Sequence, residues 1–118
     1  MKNYKRGDIV IIQAPLENGS CVQDGTRPFV IVQNDKGNRY SPTTIVCPLT
    51  TKTKREYLPT HVWVACKGIR PSVIECEQVR VVDKRDIVDK MATLSDDQMG
   101  KVDRAVWNAF FYKDQGVY

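Results

Sequence analysis

Thr26-Arg27-Pro28-Phe29-Val30-Ile31-Val32-Gln33-Asn34-Asp35 and, a few residues on, Ser41-Pro42-Thr43-Thr44-Ile45-Val46-Cys47-Pro48-Leu49-Thr50-Thr51 each set an unbroken apolar run beside groups suited to a phosphate. Arg27 precedes the first run, and Thr50 and Thr51 follow the second. Paired as antiparallel strands, the two runs bring Arg27 and the threonines to one end of a sheet, because the start of one strand lies opposite the finish of its neighbour. A guanidinium and two hydroxyls on one rim can hold a phosphodiester.

Upstream, Asp8-Ile9-Val10-Ile11-Ile12-Gln13-Ala14 is β-branched and continuous rather than alternating, which suits a strand covered on both sides or lying in a small barrel. Pro15 to Thr26 is rich in Gly, Asn, Ser and Asp, a loop of about a dozen residues, and loops that long in compact domains are often functional. Phe29 to Asn34 forms the second strand. Asn34 to Arg39 is turn chemistry with room for one helical turn, and Ser41-Pro42 punctuates the entry to a third strand, Thr43 to Leu49. Pro48 has no N–H to donate and marks an edge or bulge there.

Downstream, Thr51 to Tyr57 is a basic loop, and Thr60 to Val64 alternates, with Val62 and Val64 on one face and His61 and Trp63 on the other. Ser72 to Cys76 and Gln78 to Val82 read as two short strands or one with a bulge. Asp83 to Asp86 makes a single turn before a last strand, Val88 to Thr93. Ser95 then opens a helix: with Gln98 it makes a capping box, and Asp96 and Asp97 lie where the helix dipole favours negative charge. Met99, Val102, Ala105, Val106, Ala109 and Phe110 recur at helical spacing and define its buried stripe. The expectation is a mainly β (α+β) fold, a small, strongly bent β-barrel with the C-terminal α-helix packed outside; a half-open sandwich is the alternative.

The 118 residues are expected to form a single domain, 1–118, with a hydrophobic share of 42% and a charged share of 27% that set disorder and fibrous classes aside. Eighteen basic against fourteen acidic residues leave a net charge of +4, a modest bias toward a polyanionic partner. No apolar run is long enough for a membrane span and no signal peptide is recognisable, so a cytoplasmic protein without membrane contact is expected. Cys21, Cys47, Cys66 and Cys76 contain no C-x-x-C pair and His61 is the sole histidine, which excludes a zinc knuckle or finger at the usual spacings. Reduced, structural thiols are expected.

Taken in order, Lys5-Arg6-Gly7-Asp8, Arg27-Pro28, Val32-Gln33-Asn34-Asp35, Gly37-Asn38-Arg39, Ser41-Pro42-Thr43, Leu58-Pro59-Thr60-His61-Val62, Ser72-Val73-Ile74, Glu77-Gln78-Val79-Arg80, Asp83-Lys84 and Lys101-Val102-Asp103 resemble the MazF/PemK family of bacterial toxin endoribonucleases, in its Gram-positive branch. The resemblance spans nearly the whole chain. It implies an SH3-like barrel that forms a homodimer, cleaves single-stranded RNA at a short sequence without a metal ion or other cofactor, and is held inactive by a cognate MazE-like antitoxin. Operator DNA would be met only through the antitoxin complex. Carried over residue by residue, the catalytic positions are Arg27 and Thr50. The implied RNA-binding positions are Ser20 in the first loop, Thr51, Lys52, Lys54, Arg55, Leu58, His61, Gln78 and Arg80. The first loop departs from the family's G-S-E-Q-x-G-x-R-P: it is one residue longer, Cys21 stands where an acidic residue is usual, and Asp24 is the available substitute.

RNA can be cut without a metal by its own 2'-hydroxyl, which requires a proton acceptor, help for the departing 5'-oxygen and positive charge on the phosphorane. The products are a 2',3'-cyclic phosphate and a 5'-hydroxyl. Arg27 suits charge stabilisation, since a guanidinium stays cationic and forks onto two phosphate oxygens. Thr50 suits hydrogen bonding to phosphate or 2'-hydroxyl. Neither is a strong base, so the residues leave the acceptor open. The rival readings are a non-catalytic nucleic-acid-binding barrel and a gyrase-targeting module.

Overall fold

The computed structural model describes residues 3–13, 26–52 and 58–113. They build seven strands, β1 (Asp8–Gln13), β2 (Thr26–Ile31), β3 (Thr43–Thr50), β4 (His61–Val64), β5 (Ser72–Glu75), β6 (Arg80–Asp83) and β7 (Ile87–Thr93), with helices α1 (Asp35–Tyr40) and α2 (Asp96–Phe111). Single 3-10 turns at Cys76–Gln78 and Lys84–Asp86 join β5 to β6 and β6 to β7. The sheet runs β4-β5-β3-β2-β1-β7, with β6 branching from β3. All of its pairings are antiparallel. The fold is mainly β with one long C-terminal helix; the path runs open from β4 to β7 and is not closed into a complete barrel among the described residues.

β3 is the strand on which the sheet turns. One edge pairs with β2, while the other pairs first with β6, through Thr43 to Val46, and then with β5, through Leu49 and Thr50. The Ile45 carbonyl accepts from the N–H groups of Val32 and Gln33 after β2, at 2.9 and 3.3 Å, so odd-numbered residues of β3 face β2 and even-numbered ones face the other edge. Pro48 therefore faces the seam between β6 and β5, where no ladder partner is required. This is why a proline is tolerated in an interior strand. By the same count Pro28 faces β3, and its missing N–H ends the β2–β3 ladder at the Phe29–Pro48 pair.

Alternation puts two apolar layers on the two faces. Val30, Cys47, Leu49, Val62, Val64 and Ile74 pack with Met99, Val102 and Ala105 of α2. Val10, Ile12, Phe29, Ile31, Val46 and Ile87 form the second layer, on the face that α2 does not cover. Cys47 and Cys76, buried side by side in the first layer, are free thiols, and the Cys76 thiol is pushed far up by its hydrogen bond with Cys47 and then by burial. Cys66 is also free, and Cys21 lies outside the described residues.

The α2 capping box forms in full: Gln98 N–H donates to Ser95 Oγ at 3.2 Å and Ser95 N–H to Gln98 Oε1 at 2.9 Å. Arg6 fastens the helix to the sheet by bonding both the Val32 carbonyl and Asp103. Two expectations need correction. β2 begins at Thr26 rather than Phe29 and ends at Ile31, so Arg27 lies inside a strand. Phe110 leaves the buried stripe: it is 66% exposed and adjoins Trp107, Phe111 and Tyr112, all exposed, where α2 runs past the edge of the sheet.

Candidate active site

Register decides which side chains meet. Phe29 pairs with Pro48 and Val30 with Cys47, so continuing the same register two residues past Phe29 sets Arg27 opposite Thr50. Directly opposed residues share a face, with Cβ atoms about 5 Å apart. Thr50 in turn pairs with Val73 of β5, and Val73 with Trp63 of β4. One row across the sheet thus reads Arg27, Thr50, Val73, Trp63. The next row carries Phe29, Pro48, Glu75 and His61, since Glu75 pairs with His61 and falls opposite Pro48 when the β3–β5 register is continued. Both rows lie on the face away from α2.

Each polar group is already held. Thr50 Oγ1 accepts the Lys52 N–H at 3.2 Å, which leaves its own hydrogen to donate. Arg27 Nη2 stands 3.7 Å from Glu75 Oε1, near enough for attraction and too far for a hydrogen bond; the two side chains are 43% and 19% exposed. Gln78, in the 3-10 turn, donates to Glu75 Oε2 at 3.3 Å. His61 Nε2 meets the Glu77 carboxylate at 3.1 to 3.2 Å, and Thr60 Oγ1 donates to Glu77 at 3.0 Å. Burial pulls the Glu77 carboxyl upward, but bonds from its own backbone N–H, His61 and Thr60 outweigh it and hold the group below the usual carboxylate range. Arg80 pairs with Val46 and lays its guanidinium over the Phe29 ring, 4.6 Å from the centroid.

The sequence-derived set therefore divides. The β2–β3 register, continued past Phe29 and Pro48, sets Arg27 and Thr50 at the same end of neighbouring strands. His61, Gln78 and Arg80 surround them on the same lip, and Thr51 and Lys52 are exposed just beyond the end of β3. Leu58 is half-buried and its carbonyl accepts the His61 N–H at 2.9 Å, fixing the entry to β4. Ser20, Asp24, Lys54 and Arg55 lie outside the described residues. Among the described residues, His61, Glu75 and Glu77 are the one group whose donor atoms converge enough to hold a cation, within 4.8 Å of one another. As they stand, Glu77 is engaged by His61 and Thr60, and Glu75 has Arg27 beside it.

Sequence reasoning missed Glu75 and Trp63. The signal for the first is an acidic residue in an otherwise apolar strand; for the second, an indole placed by alternation on the same face as His61, where it is 52% exposed. Several of the family-like motif residues turn out to be structural. Asn34 caps α1 by accepting the Gly37 N–H at 2.8 Å, Asp35 accepts the Arg6 N–H at 2.8 Å, and buried Asn38 accepts from Thr44 at 2.7 Å and Gln33 at 3.0 Å. Lys84 ties the end of α1 by donating to the Asn38 and Ser41 carbonyls.

A helix-backed antiparallel sheet bearing an arginine and a threonine at one lip matches a defined class: residues 5–110 match the PemK-like, MazF-like toxins of type II toxin-antitoxin systems, and the chain belongs to that family. It is 44% identical over 105 residues to Endoribonuclease EndoA of Bacillus subtilis (strain 168), covering 86% of this chain and 90% of that protein, and so is the homologue of an endoribonuclease. The Mycobacterium tuberculosis toxin MazF-mt6 superposes with a TM-score of 0.71 at 27% identity over 87% of this chain and 95% of its own. A MazE-MazF structure from Deinococcus radiodurans (Form-III) gives a TM-score of 0.74 at 19% identity over 89% of this chain and 94% of its own, a likeness of fold. The family read from the motifs is borne out.

Proposed function

We propose that this toxin is a sequence-specific endoribonuclease that cuts single-stranded RNA through the 2'-hydroxyl, without a metal ion or cofactor, leaving a 2',3'-cyclic phosphate and a 5'-hydroxyl. The observation that carries this reading is the β2–β3 register, which, continued two residues past the Phe29–Pro48 pair, sets Arg27 across from Thr50 on the face that α2 leaves uncovered. Arg27 forks onto two oxygens of the scissile phosphate and neutralises the charge that grows on the phosphorane. Thr50, whose oxygen is occupied by the Lys52 N–H, donates to a third oxygen or orients the 2'-hydroxyl. Lys52, Arg80 and, in the stretches outside the described residues, Lys54 and Arg55 attract the backbone. Thr51, Leu58, His61 and Gln78 border the strand path, Ser20 and Asp24, outside the described residues, are assigned to RNA binding by the family resemblance alone, and Trp63 offers a surface on which a base can stack.

The chain acts as a single domain and as a homodimer in this reading. Val81, Trp107, Phe110 and Phe111 are exposed, and Val81 and Phe110 line one groove with Val79 and Val106, an apolar surface of the kind a second copy covers. Membership of a toxin-antitoxin family supports a cognate MazE-like antitoxin as inhibitor. No helix among the described residues is long and apolar enough to cross a membrane, in keeping with the cytoplasmic location expected for an enzyme that cuts mRNA. The test is incubation with a defined single-stranded RNA in EDTA, followed by sequencing of the ends. Discrete fragments with cyclic-phosphate and 5'-hydroxyl termini are expected; intact RNA held in a complex would identify a binding module instead.

A further inference from the structure

Holding a phosphate does not deprotonate a 2'-hydroxyl, and neither Arg27 nor Thr50 is a base. Three basic side chains stand near them. His61 is only 8% exposed and has Nε2 engaged with Glu77. Glu77 is committed to His61 and Thr60. Glu75 differs from both, because one of its oxygens faces the Arg27 guanidinium at 3.7 Å while Gln78 steadies the other. A phosphate forked by Arg27 at about 2.8 Å brings its own ribose to the carboxylate that the same guanidinium faces.

We propose that Glu75 is the proton acceptor for the 2'-hydroxyl on the 5' side of the cut, an assignment that rests on the phosphate lying between Arg27 and Thr50. The Glu75 carboxylate takes the hydroxyl proton as the 2'-oxygen forms its bond to phosphorus. The bond from phosphorus to the 5'-oxygen breaks, its electron pair stays on that oxygen, and the oxygen takes a proton from solvent. Protonated Glu75 then returns its proton to water, so no proton is gained or lost overall. The charged and titratable groups facing Glu75 are Arg27 from β2, His61 from β4 and Glu77 from the 3-10 turn. Arg27 places its positive charge 3.7 Å from the oxygen that receives the proton.

Glu75→Gln keeps the volume and the contact with Gln78 while removing the base. Cleavage is expected to fall about a hundred-fold or more. Binding of an RNA blocked by a 2'-deoxy sugar at the cut should be unchanged or tighter, since Arg27 loses its counter-charge, and the acid limb of the rate profile should lose one proton's dependence. Glu75→Asp, which retains a carboxylate, should keep that limb with a partial rate. Cleavage by Glu75→Gln within threefold of wild type, or an unaltered acid limb, would overturn the assignment, and weaker binding of the blocked RNA with that limb retained would make Glu75 a residue that merely orients Arg27. Arg27→Ala and Thr50→Ala in the same assay separate the two levels: normal cleavage by these removes the phosphate site itself, whereas their inactivity beside an active Glu75→Gln removes only Glu75.

Discussion

The guanidinium of Arg80, on β6, lies over the ring of Phe29, on β2, having crossed the intervening β3 to do so. The ring is almost wholly buried while Arg80 itself is exposed, so the cation is held at the lip in reach of solvent. A preset charge of this kind attracts backbone phosphates without reading bases.

Arg80→Ala should accordingly weaken binding of all RNA sequences to a similar extent and lower the slope of log affinity against log salt by about one. Losing the ring contact should also cost about 0.5 to 1 kcal/mol of stability. Fluorescence anisotropy over a salt series checks the first and denaturant titration the second. A loss confined to one sequence, or an unchanged slope, would remove Arg80 from the electrostatic path.

Trp63 lies in the row of Arg27 and Thr50, three strand spacings and roughly 14 Å from Arg27. That is too far for the nucleotides flanking the cut and within reach of those beyond them. Trp63→Ala should cost about 1 to 3 kcal/mol of RNA binding, the worth of one stacked base, with little change in folding stability because the indole is exposed. Parallel measurement of Kd and Tm checks this; a large fall in Tm with affinity intact would make Trp63 a packing residue.

Glu77 gives a stability effect with a definite sign. Its carboxyl in the folded protein is held below its ordinary value of 4.5, so the stabilisation is complete at pH values above 4.5 and disappears as the pH falls through the lower folded value. Glu77→Gln should be less stable than wild type at neutral pH, and the gap should close on acidification below 4.5. Urea titrations at several pH values check it. A gap that widened in acid would contradict the hydrogen-bonding scheme around His61 and Thr60.

The α2 cap was fully legible: Ser95 and Gln98 are three residues apart, ahead of a helical apolar repeat, and both reciprocal bonds form. Ser95→Ala should cost about 1 kcal/mol of stability without touching cleavage, which thermal melts and an RNA assay can separate. A loss of cleavage at unchanged Tm would tie this end of the helix to the site.

The strands were legible for a similar reason, since β-branched runs such as Ile9 to Ile12 and alternation through His61 to Val64 are local. Boundaries set by partners were not. Arg27-Pro28 looks like the polar entry to a strand, yet pairing with Ile12 and Ile11 of β1 draws both residues into β2. Phe110 fits the helical repeat, but α2 outruns the sheet it packs on, and among the described residues the side chain is left 66% exposed. Within the candidate site, the placement of Arg27 and Thr50 toward one end of the sheet was legible, because the strand ends and the family motifs both point to them. Glu75 was not, because its approach to Arg27 depends on β3 exchanging β6 for β5 along one edge, a long-range pairing that no local pattern encodes.

The central claim is that Arg27 and Thr50 grip the scissile phosphate together. It is tested most directly by the single-turnover cleavage rate of a defined single-stranded RNA in EDTA by Arg27→Ala and by Thr50→Ala, each shown by thermal melting to be folded. A fall of about a hundred-fold or more in each is predicted, as for removal of a preorganised transition-state contact; cleavage at the wild-type rate by either variant would contradict the claim.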